Sequence, residues 1–217
     1  MIRFHTFPFS GNCHKVRLFL GLLGLEFEER RVDLAHGEQR TDVFLALNPL
    51  GQVPVIEDGE FVSGDSQAIL AWLARKYGAA HWFPQEPAAL AHVVRWLAAT
   101  ACDVQRGPAA VRWSVAFTDE APTTDAIART ERLLNGLERA LEGREWLAGG
   151  AAPTIGDVAV YPYLAMAGQG IVDYASWPRV QQWMRRIEAL PGFVPVPELP
   201  PAAAARVAAY GETTRLA

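Results

Sequence analysis

Two cysteines, Cys13 and Cys102, are the whole thiol content of the 217 residues. That is too few for a disulfide framework and makes no metal cluster, so reduced thiols and no metal are expected. Also missing is any stripe of lysine or arginine that could neutralise phosphates. With a formal net charge of -4, the chain is not expected to bind nucleic acid or a membrane surface. Long apolar runs are lacking too. Leu18 to Leu25 is bounded by Lys15, Arg17 and Glu26 and is far too short to span a bilayer. The opening Met1-Ile2-Arg3-Phe4-His5 lacks a signal-peptide pattern, and the expected location is the cytoplasm. Neither an internal repeat nor a low-complexity block is visible. What the chain does have is apolar content: half its residues, enough for a buried core in one large domain or two small ones.

The first 77 residues alternate between two periods. Ile2 to Phe7 is aromatic and β-branched, and Val16, Phe19, Leu20 and Leu23 then recur at helical spacing. A second strand is predicted over Phe27 to Val32, a short helix over Glu38 to Leu47, and a third strand over Val53 to Ile56. Asp58-Gly59 then turns into a fourth strand over Glu60 to Val62. Ser66 opens a helix with Ile69, Leu70, Leu73 and Tyr77 on one face. The order is βαβαββα, a small mixed sheet that needs helices on both faces.

Phe83-Pro84-Gln85-Glu86-Pro87 breaks the pattern and reads as a linker. Beyond it strand signals vanish. Helices are predicted from about Ala88 to Phe117, Thr123 to Leu141, Ile155 to Ala167 and Pro178 to Leu190. Pro191 to Pro201 is too proline-dense for a helix, and the alanine-rich end adds a short one. Thr154 and Asp157 have the spacing of a capping box, and Pro162 inside the same helix predicts a kink.

Three constellations can carry chemistry. Ser10-Gly11-Asn12-Cys13-His14-Lys15 lies between the first strand and first helix, where free N–H groups stabilise a thiolate. A dithiol redox centre would need cysteine at position 10; the serine there disfavours it. Ser10 can donate a hydrogen bond to a ligand's sulfur anion or simply cap the helix. Cys13 falls on the apolar stripe with Val16 and Leu20 and reads as a packing residue. His14 and Lys15 fall off that stripe and are expected to be solvated.

Asn48-Pro49-Leu50-Gly51-Gln52-Val53-Pro54-Val55 is the second constellation. Pro54 fits a strand only at its start or edge, and a cis Val53–Pro54 bond would let Val53 turn its N–H and C=O toward an extended peptide. The third is Gly64-Asp65-Ser66, either an ordinary cap or a pair that grips an amino-acid-like end, Ser66 on the carboxylate and Asp65 on the ammonium group.

With these in order, the sequence resembles the cytosolic glutathione transferase family over nearly its whole length. NPLGQVPV, GDSQAIL, TIGDVAVYPYL and WPRVQQWMRRIEALPGF together look like the family's signature in both domains. The serine of SGNCHKV matches the active-site serine of theta-like and delta-like classes and the S-x-N pattern of bacterial relatives. The tyrosine and cysteine of other classes are absent.

The resemblance implies a thioredoxin-like domain over residues 1–78 and an all-helical bundle domain over 88–217. It implies glutathione as co-substrate and no metal. Ser10 would hydrogen-bond its sulfur, with Asn12 a second candidate donor. Val53, set by cis Pro54, would pair with the cysteinyl backbone; Asp65 and Ser66 would hold the γ-glutamyl end; Gln39 and Gln52 would touch the glycine or cysteine portion. Asp65 stands where the family commonly has glutamate, one methylene longer. Asp103 would reach the glutathione of a partner subunit in a homodimer. The implied activity is conjugation of glutathione to a small hydrophobic electrophile, bound against Trp113, Phe117, Tyr163 and the tail around Tyr210. Glutathione-dependent disulfide reduction or peroxidase chemistry is the alternative on the same fold, with non-enzymatic glutathione binding a third reading.

Overall fold

The computed structural model describes residues 1–213. Its first part holds one four-stranded sheet in the order β2-β1-β3-β4. Strand β1 (Ile2–Thr6) pairs parallel with β2 (Phe27–Arg31) and antiparallel with β3 (Val55–Asp58), which turns at Gly59 into β4 (Phe61–Gly64). The sheet is covered on both sides because side chains alternate along a strand. Phe4 and Ile56 join the main core with Val16, Phe19 and Leu20 of α1 (Gly11–Leu22) and Ile69, Leu70 and Leu73 of α3 (Ser66–Tyr77). Val55, next to Ile56 and so on the opposite face, packs with Val32 and with Phe44 of α2 (Asp42–Leu47).

Several predicted bounds move for local reasons. Strand β3 starts at Val55 rather than Val53, since Pro54 has no N–H for the ladder. The helix expected over Glu38 to Leu47 splits at Thr41, whose extended backbone lets its hydroxyl accept from Phe44 N–H and start α2. The single helix expected over 88–117 becomes three pieces. These are α4 (Pro87–Ala99), a π-helical run Thr100–Ala109, and α5 (Ala110–Phe117), with Gly107 off helical geometry just before Pro108.

Helix α7 (Ile155–Ala167) is the axle of the molecule. It is buried on every side from Ile155 to Leu164 and touches α1, α3, α4, the π-helical run and α8 (Pro178–Glu188). The helix runs on through Pro162. Its start is the capping box read from the sequence: Thr154 Oγ1 accepts from Gly156 N, and Asp157 accepts from Thr154 N at 2.9 Å. The same buried carboxylate accepts from Leu147 N and Trp183 Nε1, both at 2.9 Å, which pins the preceding loop and α8 to this cap. Helix α6 (Thr124–Ala140) packs on the π-helical run, and α9 (Pro201–Thr213) packs on α5. Among the described residues no helix is long and apolar enough to cross a membrane.

Candidate functional site

The first turn of α1 is assembled from contacts close in the chain and far along it. Ser10 is the N-cap, and its Oγ accepts from Cys13 N at 3.3 Å. Its hydroxyl proton remains available for a ligand. The preceding loop is held by Ser10 N donating to Phe7 O, Phe7 N donating to Cys13 Sγ at 3.3 Å, and Arg112 Nη1 donating to Phe9 O at 3.1 Å. Cys13 is buried, and burial pushes its thiol up although Ser10 and Phe7 N–H pull the other way. It packs and does not present a nucleophile, as its place on the apolar stripe indicates.

His14 and Lys15 depart from their expected solvated positions: both are buried, at 1% and 0% exposure. Helix α1 is enclosed around most of its girth by the sheet, α3, α7 and the extended segment before α9. His14 Nε2 donates to Val194 O at 3.1 Å, and burial lowers its pKa to about 4. Lys15 Nζ lies 5.3 Å from the centroid of the Tyr163 ring and donates to Asn12 Oδ1 at 2.7 Å. Burial brings this lysine down to about 7, with the Asp65 carboxylate partly opposing the shift.

Asn12 gathers three donors on one oxygen. Besides Lys15, Gln105 Nε2 donates to Oδ1 at 3.0 Å and Ser66 Oγ at 3.4 Å. Ser66 is buried at the start of α3, and its hydroxyl also meets Gln67 Oε1. Asp65 just before it has a positive φ of 64° and caps α3, its Oδ1 accepting from Gln67 N at 2.9 Å and Ala68 N at 3.1 Å. Among the described residues the second carboxylate oxygen has no such bond. The Val53–Pro54 bond is cis.

A cavity of about 940 Å³ opens over this corner. One side is polar and carries Ser10, Asn12, Gln39, Gln52 and Val53; Asp65, Ser66 and Pro54 lie outside its lining, Ser66 being linked to it through Asn12. The amide oxygen of Gln39 is buried without a partner. The other side is aromatic: Phe9, Phe117 and Trp113 form a chain of ring contacts at 6.2 and 5.5 Å, while the Tyr163 ring, also in the lining, lies against Gly11 at the start of α1. Trp113 is 61% exposed, so it forms the rim and not the core. The tail contributes Pro200 to the lining; Tyr210 is not part of it. Asp103 is exposed and also lies elsewhere, in a groove with Cys102, Arg129 and Arg132.

Sequence reasoning missed Lys15, Gln105 and Arg112. Gln105 sits in the π-helical run, where an extra residue per turn changes which side chains face the cavity, and no helical periodicity anticipates that. Arg112 is 5% exposed on α5, its Cζ 5.0 Å from the Phe117 ring centroid, with Nε and Nη2 buried and unpartnered. The Gly107-Pro108 pair was the one local signal that the long helix is interrupted here.

Comparison with known proteins shows the family. Residues 9–76 match the glutathione S-transferase N-terminal domain and residues 88–186 the glutathione S-transferase C-terminal domain. Glutathione S-transferase theta-1 of Bos taurus is 31% identical over 85% of this chain and 81% of its own. The disulfide-bond oxidoreductase YfcG of Escherichia coli (strain K12) is 31% identical over 83% and 87%. A crystal structure of a glutathione S-transferase from Pseudomonas fluorescens [Pf-5] superposes with a TM-score of 0.83 at 30% identity, covering 91% of this chain and 99% of that one.

Proposed function

The chain belongs to the glutathione S-transferase family and is a glutathione transferase; from that premise we propose that Ser10 and Asn12 hold the glutathione sulfur while a small apolar electrophile lies against Phe9, Trp113 and Phe117. The observation that carries this reading is the two-sided cavity at the start of α1, polar on one side and aromatic on the other. On this reading residues 1–78 are the glutathione-binding domain and residues 88–217 supply the second-substrate side. Val53 offers its backbone to the cysteinyl unit next to cis Pro54; Gln39 and Gln52 meet the glycine or cysteine portion; Asp65 and Ser66 hold the γ-glutamyl end. The same proposal includes a cytoplasmic homodimer acting in detoxification, with no metal, as the family resemblance implies.

The energetics are sufficient. A thiol of pKa about 8.5 is only a few per cent ionised at neutral pH, and lowering it by ~2 units needs about 2.7 kcal/mol. A hydrogen bond to a charged acceptor supplies roughly 1.5–3 kcal/mol, and the N-terminus of α1 about 0.3–1 kcal/mol more. Ionisation alone can raise the rate only ~25–30-fold, because the thiolate fraction saturates at one. Holding the electrophile beside the sulfur supplies the remainder. Sulfur attacks the electrophilic carbon, a leaving group departs or an adjacent atom takes up the electron pair, and the thiol has already given up its proton.

Disulfide reduction is the second reading, favoured by the 31% identity to the Escherichia coli disulfide-bond oxidoreductase. Assaying the purified protein with glutathione and either an aryl halide or a small disulfide separates the two. Turnover of the halide supports conjugation; turnover of the disulfide alone selects reduction.

A further inference from the structure

We infer that Lys15 is a positioning residue of the sulfur site: from the buried side of α1 it fixes the Asn12 amide so that its NH₂ group faces the sulfur, and it provides the positive charge that balances the thiolate. The inference rests on glutathione occupying the cavity as proposed above.

The orientation of Asn12 follows from its partners. With Lys15 as an ammonium, which has only donors, the amide atom 2.7 Å from Nζ is the oxygen, and Gln105 Nε2 and Ser66 Oγ meet the same atom. The amide nitrogen then points the other way. Among the described residues it donates to no side chain or backbone group, and Asn12 lines the cavity. An ammonium on the carbonyl side also polarises the amide and strengthens its N–H groups as donors.

The charge is not explained by stability. Lys15 is fully buried and has one hydrogen-bond acceptor for three N–H bonds, plus the Tyr163 ring at 5.3 Å. An apolar side chain of similar volume would fill the space without the desolvation cost. The ionisable groups facing it are Asp65 at the start of α3, Cys13 on α1 and Tyr163 on α7. Burial brings the lysine to about 7, so its proton is held loosely until an anion arrives. A sulfur hydrogen-bonded to Asn12 would stand roughly 7 Å from Nζ, where a unit charge at an effective dielectric of about 20 moves a pKa by about 1–2 units.

The test compares wild type with Lys15→Met and Lys15→Arg. Thermal melts report folding, S-methylglutathione affinity reports tripeptide binding without a charge on sulfur, and ultraviolet thiolate absorbance reports the pKa of bound glutathione. Lys15→Met is expected to melt no lower than wild type and to bind S-methylglutathione within about twofold. Its bound thiol should titrate about 1–2 units higher, with conjugation at neutral pH slowed roughly 3- to 25-fold. Lys15→Arg should stay near wild type. A thiol pKa unchanged in Lys15→Met overturns the inference, and so does a loss of S-methylglutathione affinity equal to the loss of glutathione affinity. Should Lys15→Met fail to fold, calorimetry of wild type at pH about 8 in buffers of different ionisation enthalpy decides. At that pH a thiol of pKa about 8.5 still carries roughly 0.75 proton, so release near zero means that the sulfur proton moved to Lys15, whereas release of roughly 0.75 proton overturns the inference. Wild type that binds neither glutathione nor S-methylglutathione defeats the proposed function itself, a result distinct from all of these.

Discussion

Asn12 and Gln105, 93 residues apart in the chain, share a 3.0 Å hydrogen bond that ties the first turn of α1 to the π-helical run. The contact lets the helical part of the molecule adjust the amide beside the proposed sulfur position. Replacing Gln105 with Leu removes one of three donors to Asn12 Oδ1 and leaves Lys15 in place. A net hydrogen bond is worth about 0.5–1.5 kcal/mol, so kcat/KM for conjugation should fall roughly 2- to 12-fold. Steady-state kinetics on the variant checks this; an unchanged value would show that the bridge has no bearing on the site.

Ser10→Ala removes both a helix cap and a proposed sulfur donor. Loss of the bond from Cys13 N to Ser10 Oγ should cost ~1 kcal/mol in urea unfolding. The pKa of bound glutathione should rise by about 1–2 units, the share assigned to one hydrogen bond to a charged acceptor. An ordinary stability loss with no change in thiolate titration would leave Ser10 as a cap alone.

Gly11 carries no side chain because Tyr163 occupies the space: a Cβ there would lie 2.6 Å from the ring. Gly11→Ala should destabilise by about 1–3 kcal/mol through overpacking and displace the first turn of α1. Tyr163→Leu in the same chain should recover part of both stability and activity, giving a favourable coupling in a double-mutant cycle. Additive losses would mean that the close approach is not what excludes a side chain.

His14 makes acid stability measurable. Its folded pKa of about 4 lies below the unfolded value of 6.5, lowered first by burial and also by Arg17, while the Val194 carbonyl opposes the shift. Above the unfolded pKa both states are neutral and the group contributes no pH dependence. Between about 6.5 and 4 the unfolded chain takes up a proton that the folded chain resists, so stability falls by about 3 kcal/mol over that window. Denaturant titrations at several pH values should show His14→Gln losing that much less than wild type on acidification; parallel curves would place the acid-sensitive step elsewhere.

Much of the sheet and the α7 capping box was legible because each depends on neighbours close in sequence. Asp58-Gly59 specifies a turn, and Thr154 and Asp157 satisfy each other across three residues. Lys15 and His14 were not legible, because periodicity assigns one buried face to a helix and α1 has partners around most of its girth. Val194 and Tyr163, which meet those two side chains, lie far along the chain and leave no mark on the local pattern. Gln105 was hidden for another reason: the π-helical run changes which side chains share a face. Trp113 and Phe117 were readable as apolar, but their place at a cavity depended on how α5 approaches Phe9.

The central claim is that the glutathione sulfur sits at the start of α1 between Ser10 and Asn12. A crystal structure of the protein soaked with glutathione measures it directly. The account predicts sulfur within about 3.5 Å of Ser10 Oγ or Asn12 Nδ2, with the γ-glutamyl end toward Asp65 and Ser66. Glutathione bound elsewhere, or that corner filled by the protein's own side chains, would contradict it.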